Sequence, residues 1–190
     1  RKMIGYLPQD FKFFTRLRLW EFLDYAARLG QMQNREERLE RVDEMLHVVG
    51  LYAFRNRMAN KLSGGMKRRL GIAQALIASP RIIIVDEPTT GLDPEERIRF
   101  RNLLSELGRS GTIIILSTHI VGDISSTCNQ MAILNEGELI FNGTPDELVS
   151  QAEGFVWRTE IGQEEYERLK EVAPIISTIP SGNGWEVQFV

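Results

Sequence analysis

The chain of 190 residues is 43% hydrophobic and 26% charged, with 23 Lys and Arg against 26 Asp and Glu and a formal net charge of -3. That balance is ordinary for one globular domain with a small appendage, and it excludes the general basic footprint of a nucleic-acid binder. The single cysteine, Cys128, rules out an internal disulfide and reads as core filler. No apolar run approaches the length of about 18 residues that spans a bilayer, so any membrane role is expected to run through a partner.

In chain order, residues 3–7 predict a strand leading into Pro8-Gln9. Gln9 carries one amide oxygen and two N–H donors on a flexible stem, so it can touch a magnesium ion or an attacking water and let go; an ordinary loop glutamine is the alternative. Phe11, Phe13, Phe14 and Trp20 follow closely, either as local core or as a groove for another helix. A helix is expected over 19–29, stopped by Gly30. A second has Asn34 as N-cap, Glu37 as its capping-box partner, Leu39, Val42, Leu46 and Val49 as the apolar stripe and Gly50 as the stop; its charges and His47 read as a solvated face. Arg55 and Arg57 are loop cations that could help attract phosphate, although loop arginines usually do nothing so specific.

The stretch KLSGGMKRRLGIAQALIASPRIIIVDEPTTGLDP, residues 61–94, organises the rest. Ser63, Gly64 and Gly65 precede a helical pattern over about 66–78, with Leu70, Ala73, Leu76 and Ile77 on one face and Pro80 ending it. Unpaired N–H groups and glycines at a helix N-terminus suit a phosphate, whereas Ser63 alone could be a plain N-cap. Residues 82–85 predict a strand buried on both faces. Asp86 and Glu87 leave its end together, and adjacent carboxylates there call for a positive partner such as a magnesium-bound phosphate. Asp93, Pro94 and Glu96 then read as N-cap, N1 and N3 of the next helix, which runs to about Leu107.

Residues 112–116 predict another buried strand, delivering Ser117, Thr118 and His119 at the same sheet edge as Asp86 and Glu87, where open α/β sheets bind ligands. His119 can donate a hydrogen bond to a phosphate oxygen; a structural histidine is the alternative. Asn135-Glu136-Gly137 joins the two strands of an expected hairpin, Asn142-Gly143 turns the chain again, and Thr144, Pro145 and Glu147 start a short helix. Beyond about Ser150 an alternating segment at 155–161, a charged helix at 163–172 and a second alternating segment at 185–189 read as β-α-β, with residues 180–184, Asn183 included, as a turn.

These motifs carry a family resemblance. LSGGM at 62–66, IIIVDEP at 82–88, GLDP at 91–94 and STH at 117–119 resemble the signature, Walker B, D-loop and switch-histidine motifs of ABC transporter ATPase domains, and Gln9 in YLPQD resembles the Q-loop glutamine. The motifs stand in family order over about residues 4–148. One feature departs from the pattern: no Gly-x-x-x-x-Gly-Lys-Ser/Thr phosphate loop occurs, since no lysine follows a glycine.

The resemblance implies an α/β P-loop NTPase fold lacking its first strands and phosphate loop, expected to be the C-terminal portion of a longer ATPase and inactive as 190 residues alone. It divides the chain into a partial ATPase domain at 1–150, with a helical subdomain about 14–78, and a small α+β accessory domain at 151–190 of a kind seen on some exporters. It implies ATP and Mg2+ as cofactors, with Asp86 and Gln9 at the metal, Glu87 polarising the attacking water and His119 on the γ-phosphate. Ser63, Gly64, Gly65 and Asp93 would act across a dimer. The aromatics after Gln9 would lie where such ATPases grip a coupling helix. The implied partners are a transmembrane permease and a second ATPase subunit, with no nucleic acid, at the cytoplasmic face of the membrane. Two alternatives are an ABC-type ATPase without a membrane subunit, and a noncatalytic dimerisation module.

Overall fold

The computed structural model describes residues 3–11, 16–152, 154–182 and 184–190; Phe13, Phe14 and Asn183 lie outside them. The chain forms two compact units, Arg1–Thr127 and Cys128–Val190. The first unit is mixed α/β, the class expected from the sequence.

In the first unit, β1 (Ile4–Leu7), β2 (Ile82–Asp86) and β3 (Ile113–Ser117) form a parallel sheet in the order β1-β2-β3. Ile4 pairs with Ile82, Ile82 with Ile113 and Asp86 with Ser117, so the three strands end together. Three helices of this unit are α1 (Leu19–Leu29), α2 (Arg35–Val48) and α3 (Gly64–Leu76), followed after β2 by α4 (Pro94–Arg109) and after β3 by α5 (Val121–Thr127). Leu7, Leu23, Leu46, Leu70, Ile83 and Phe100 anchor one continuous apolar core.

The sheet corrects one expectation. Ile83 and Val85 are fully buried, but Ile82 and Ile84 are half-buried, and on β3 Ile113 and Ile115 are 60% and 54% exposed. Neither β2 nor β3 is covered on both faces: α3 packs on β1 and α4 on β3, and among the described residues the opposite face carries Ile4, Tyr6, Ile113 and Ile115 in the open. A continuous β-branched run thus reflects strand propensity as well as burial.

The N-cap and stop signals of α2 hold, although Glu37 accepts from the Asn34 side-chain amide at 3.2 Å and does not close a capping box on the Asn34 backbone. Asn34 Oδ1 accepts from the Glu36 and Glu37 amides at 2.9 and 3.4 Å, and Gly50, at φ 65°, ends the turn so that the Leu51 amide reaches the Leu46 carbonyl at 2.7 Å. The α2 charges are not all solvated, however. Arg38 is buried, its Nε donating to Asp24 Oδ1 at 2.5 Å and its Nη1 to the Met32 and Gln33 carbonyls at 3.1 Å. An arginine goes inside here because a buried carboxylate from α1 and unpaired loop carbonyls satisfy its fork. His47 is exposed and stacks on Tyr52 at 3.9 Å between centroids. Phe11 meets Phe22 edge-on at 6.1 Å, and both it and Trp20 pack against the core.

In the second unit, β4 (Met131–Asn135) and β5 (Glu138–Gly143) form the hairpin. Its two turn residues, Glu136 and Gly137, have φ of 49° and 86°, the positive pair that a tight primed turn requires. The predicted turn at Asn142-Gly143 is instead the end of β5, where both residues pair with β4. Thr144 and Glu147 complete a reciprocal capping box on α6 (Pro145–Ala152): the Thr144 amide donates to Glu147 Oε2 at 2.8 Å and the Glu147 amide to Thr144 Oγ1 at 3.1 Å.

The last sheet has the order β6-β8-β7, antiparallel throughout, from β6 (Trp157–Ile161), β7 (Ile175–Ser181) and β8 (Gly184–Phe189), with α7 (Gln163–Val172) between β6 and β7. The β-α-β reading thus missed β7, and Pro180 and Ser181 belong to that strand rather than to a turn. Proline can sit there because β7 is an edge strand and needs no amide on its outer side. Tyr166 of α7 stacks on Trp185, whose Nε1 donates to Gln163 Oε1 at 2.7 Å.

Candidate functional site

Because β1, β2 and β3 are parallel and in register, their C-terminal ends bring Pro8-Gln9, Asp86-Glu87 and Ser117 to His119 to one edge of the first unit. The Glu87 amide donates to the Ser117 carbonyl at 3.0 Å, continuing the ladder one residue past β2. Glu87 itself has φ 44°, a left-handed conformation that a non-glycine residue adopts at a cost of about 1–2 kcal/mol and that is concentrated at functional sites.

Glu87 is held from two sides. His119 Nδ1, carrying the ring proton, donates to Glu87 Oε1 at 2.8 Å, and Thr90 Oγ1 donates to Oε2 at 3.0 Å. The His119 hydrogen bond is the main reason that the Glu87 carboxyl lies below the usual carboxylate value; partial burial opposes the shift and Thr90 reinforces it. His119 remains 69% exposed at its side chain. Beside this pair, Ser117 Oγ donates to Asp86 Oδ1 in a short contact. Thr90 and the Ser117 hydroxyl had no role in the sequence reading. The TT in DEPTTG was a legible signal, because a hydroxyl three residues after a carboxylate can reach back across a turn.

The signature turn behaves as a helix start. Ser63 Oγ accepts from the Met66 amide at 3.2 Å, so Ser63 is an N-cap, and Gly64 and Gly65 form the first turn of α3. A Cβ on Gly65 would lie 2.2 Å from the Glu96 carboxylate, so glycine there lets the start of α4 close onto α3. Glu96 does not complete the capping box. It faces Arg69 at 3.5 Å and Arg99 at 3.3 Å, while Asp93 Oδ1 alone caps α4 by accepting from the Glu96 amide at 2.9 Å.

A cleft shared by Gln9, Asp10, Phe11, Gly64, Lys67 and Arg68 with the 90–92 loop joins the Gln9 loop to the signature helix. Arg68 Nη1 donates to the Gln9 carbonyl in a short contact and to the Pro8 carbonyl at 3.4 Å, a tie that sequence reading did not anticipate. Partial burial lowers the Arg68 pKa, Asp10 opposes this, and the guanidinium stays charged at neutral pH. Neither Glu87 nor His119 lines this cleft, and among the described residues no hydrogen bond joins Gln9 to Asp86. Thus Asp86, Glu87 and His119 form one cluster, Gln9 and Gly64 another, and Asp93 serves as a cap. Arg55 pairs with Asp43 at 2.9 Å and Arg57 lies over the Phe54 ring, so local partners already engage both cations.

As a metal site, the edge offers hard oxygens, the half-buried Asp86 carboxylate and the Gln9 amide, which fit a magnesium ion whose other ligands would be water and phosphate. The described residues contain no group of three or more His, Cys, Asp or Glu that could bind a metal unaided.

Comparison with known proteins agrees with this geometry. Residues 1–90 match the ABC transporter family. Among curated relatives, the ABC transporter ATP-binding protein YxlF of Bacillus subtilis is 35% identical over 189 residues, covering 100% of this chain and 63% of its own length. The ABC transporter ATP-binding protein sll0415 of Synechocystis is 36% identical over 87% of this chain and 47% of its own length. LptB, the ATP-binding protein of the Escherichia coli lipopolysaccharide export system, is 34% identical over 78% of this chain and 62% of its own length. The chain therefore spans less than two thirds of each of these relatives. Strand-end carboxylates, the histidine that meets them and the capped glycine turn occupy the family's motif positions, and the chain is similar over its length to ABC transporter ATP-binding proteins.

Proposed function

We propose that the gene-length protein is the ATP-binding subunit of an ABC transporter, hydrolysing ATP at a dimer interface to drive a separate membrane subunit. The observation that carries this reading is Glu87: a carboxylate in left-handed backbone at a parallel strand end, with His119 from the neighbouring strand 2.8 Å away. In this reading Glu87 accepts a proton from the attacking water, and His119 turns from Glu87 to donate to a phosphate oxygen. Asp86 and Gln9 would hold Mg2+, which supplies charge neutralisation at the phosphate oxygens when bound. Ser63, Gly64 and Gly65 clamp the nucleotide of the opposite subunit, and Asp93 stands at the same interface. Among the described residues no hydrogen bond joins these residues to Glu87, in keeping with two half-sites making one working site.

A transmembrane permease is the expected partner, because the relatives' names join them to transport systems. The protein would then work at the cytoplasmic face. Residues 1–150 serve as the ATPase portion and residues 151–190 as an accessory domain for dimer contact or regulation. Glu87→Gln in the gene-length protein should lower turnover by about 10²–10⁴-fold while leaving ATP binding intact. Near-normal turnover in that variant would refute Glu87 as the base.

A further inference from the structure

Thr89 and Asp123 are 2% and 1% exposed, two polar residues sealed into the first unit on the same segments that carry Glu87 and His119. Thr89 lies two residues after Glu87. Asp123 lies four residues after His119, in the first turn of α5. Thr89 Oγ1 donates to Asp123 Oδ2 in a short contact. Asp123 Oδ1 is buried without a hydrogen-bond partner, and its nearest cation is Arg101 Nη1 at 3.9 Å. That same guanidinium nitrogen donates to the Gly122 carbonyl at 2.9 Å, tying the start of α5 to α4.

A buried carboxylate with one hydrogen bond and a distant cation is an inefficient way to stabilise a fold, because its desolvation is only partly offset. Its value lies in geometry. Beyond the Ser117 hydroxyl's contacts with Asp86 and the Glu87 amide, the 86–90 and 117–123 segments meet at three points: Glu87 amide to Ser117 carbonyl, Glu87 carboxylate to His119, and Thr89 hydroxyl to Asp123. The middle link is exposed at His119 and must break if that ring is to reach a ligand. The dry link cannot exchange its partner for water without opening the core.

We propose that the Thr89–Asp123 hydrogen bond is a latch that holds the His119 loop in register with Glu87, making both its members positioning residues for ATP hydrolysis. The loop amides follow from that register: Ile120 N–H donates to Thr118 Oγ1 at 3.1 Å and Asp123 N–H to the Ile120 carbonyl at 3.0 Å. Where it concerns turnover, the latch rests on the ATPase reading; where it concerns the loop, it does not.

The test substitutes Thr89→Val, which keeps the shape and removes the hydroxyl, beside Thr89→Ser, which keeps the hydroxyl. Asp123→Asn serves as the second variant should the valine protein fail to fold. Amide hydrogen exchange reads the loop: Thr89→Val should speed exchange at Ile120 and Asp123 about tenfold or more and leave Leu70 in α3 unchanged, with Thr89→Ser close to the unsubstituted protein. Exchange unchanged in the loop, or equally faster at Leu70, overturns the latch in favour of no role or a merely structural one. Steady-state kinetics of the gene-length protein read its consequence. Thr89→Val should lower kcat at least tenfold with KM for Mg-ATP within about twofold, and Thr89→Ser should restore kcat. Unchanged kcat in the valine variant overturns the positioning role. Absence of ATP hydrolysis by the unsubstituted protein would instead refute the ATPase reading, and the exchange arm would still decide the latch.

Discussion

At the scale of single residues, the Glu87 carboxylate shows how a strand end becomes a poised site. The His119 hydrogen bond, reinforced by the Thr90 hydroxyl, favours its ionised form, and partial burial opposes them. A carboxyl whose folded-state pKa is depressed stabilises the fold fully above its unfolded value. That contribution is lost as pH falls through the lower folded value. Both groups are partly solvated, so the energy involved is modest, but the titration itself is a direct reporter. In a carbon-13 NMR titration of the side-chain carboxyl, Glu87 should change protonation below the ordinary value of 4.5, and His119→Ala should move the midpoint upward. An unmoved midpoint would mean that the His119 contact does not govern the carboxylate.

At the scale of elements, the approach of α3 to β1 is set by two glycines. A Cβ at Gly5 would fall 2.4 Å from the Ala75 carbonyl oxygen, a backbone atom that no rotamer change can move. A Cβ at Gly71 would fall 2.5 Å from Leu7 Cδ1, the far end of a flexible side chain, and 3.2 Å from the Phe11 ring. Overpacking of this kind costs about 1–3 kcal/mol, while alanine in place of glycine in a helix interior recovers about 1 kcal/mol. Gly5→Ala should therefore destabilise the first unit by at least about 2 kcal/mol, with Gly71→Ala clearly milder. Denaturant unfolding followed by circular dichroism would check the order, and equal losses would show that the Leu7 side chain cannot yield. The same crossing places Arg68, on α3, where its guanidinium can hold the Gln9 carbonyl, so element packing positions a loop of the candidate site.

At the scale of the whole molecule, the first unit contains strand-end carboxylates, a switch-type histidine and a capped glycine turn, but the chain includes no Gly-x-x-x-x-Gly-Lys-Ser/Thr phosphate loop. Backbone N–H groups cradling the β-phosphate, with a lysine reaching its oxygens, supply most of the grip on a nucleotide in P-loop proteins. Calorimetric titration of the 190 residues with Mg-ATP should accordingly give no saturable heat at micromolar concentrations. Micromolar binding would mean that phosphate is gripped another way, and the assignment of Ser63, Gly64 and Gly65 to an opposite subunit's nucleotide would have to change. The second unit has its own sheet and its own aromatic contact, Tyr166 on Trp185, and supplies none of the residues placed at the site.

Features that depend on neighbours a few residues apart could be read from the chain alone. Asn34, Ser63, Asp93 and Thr144 were legible as caps because a short polar side chain reaches an amide two or three positions on, and Glu136-Gly137 as a hairpin turn because its backbone must take positive φ. Asp86, Glu87 and His119 were legible as strand-end residues for the same local reason. Tertiary structure alone decided which sheet face is covered, that Arg38 goes inside to meet Asp24, and that β7 joins β8 along an edge that tolerates Pro180. It also decided that His119 meets Glu87 and Thr89 meets Asp123. Those pairs are separated by 32 and 34 positions in sequence, and their distances follow from the parallel register of β2 and β3, a property that no local pattern of side chains encodes.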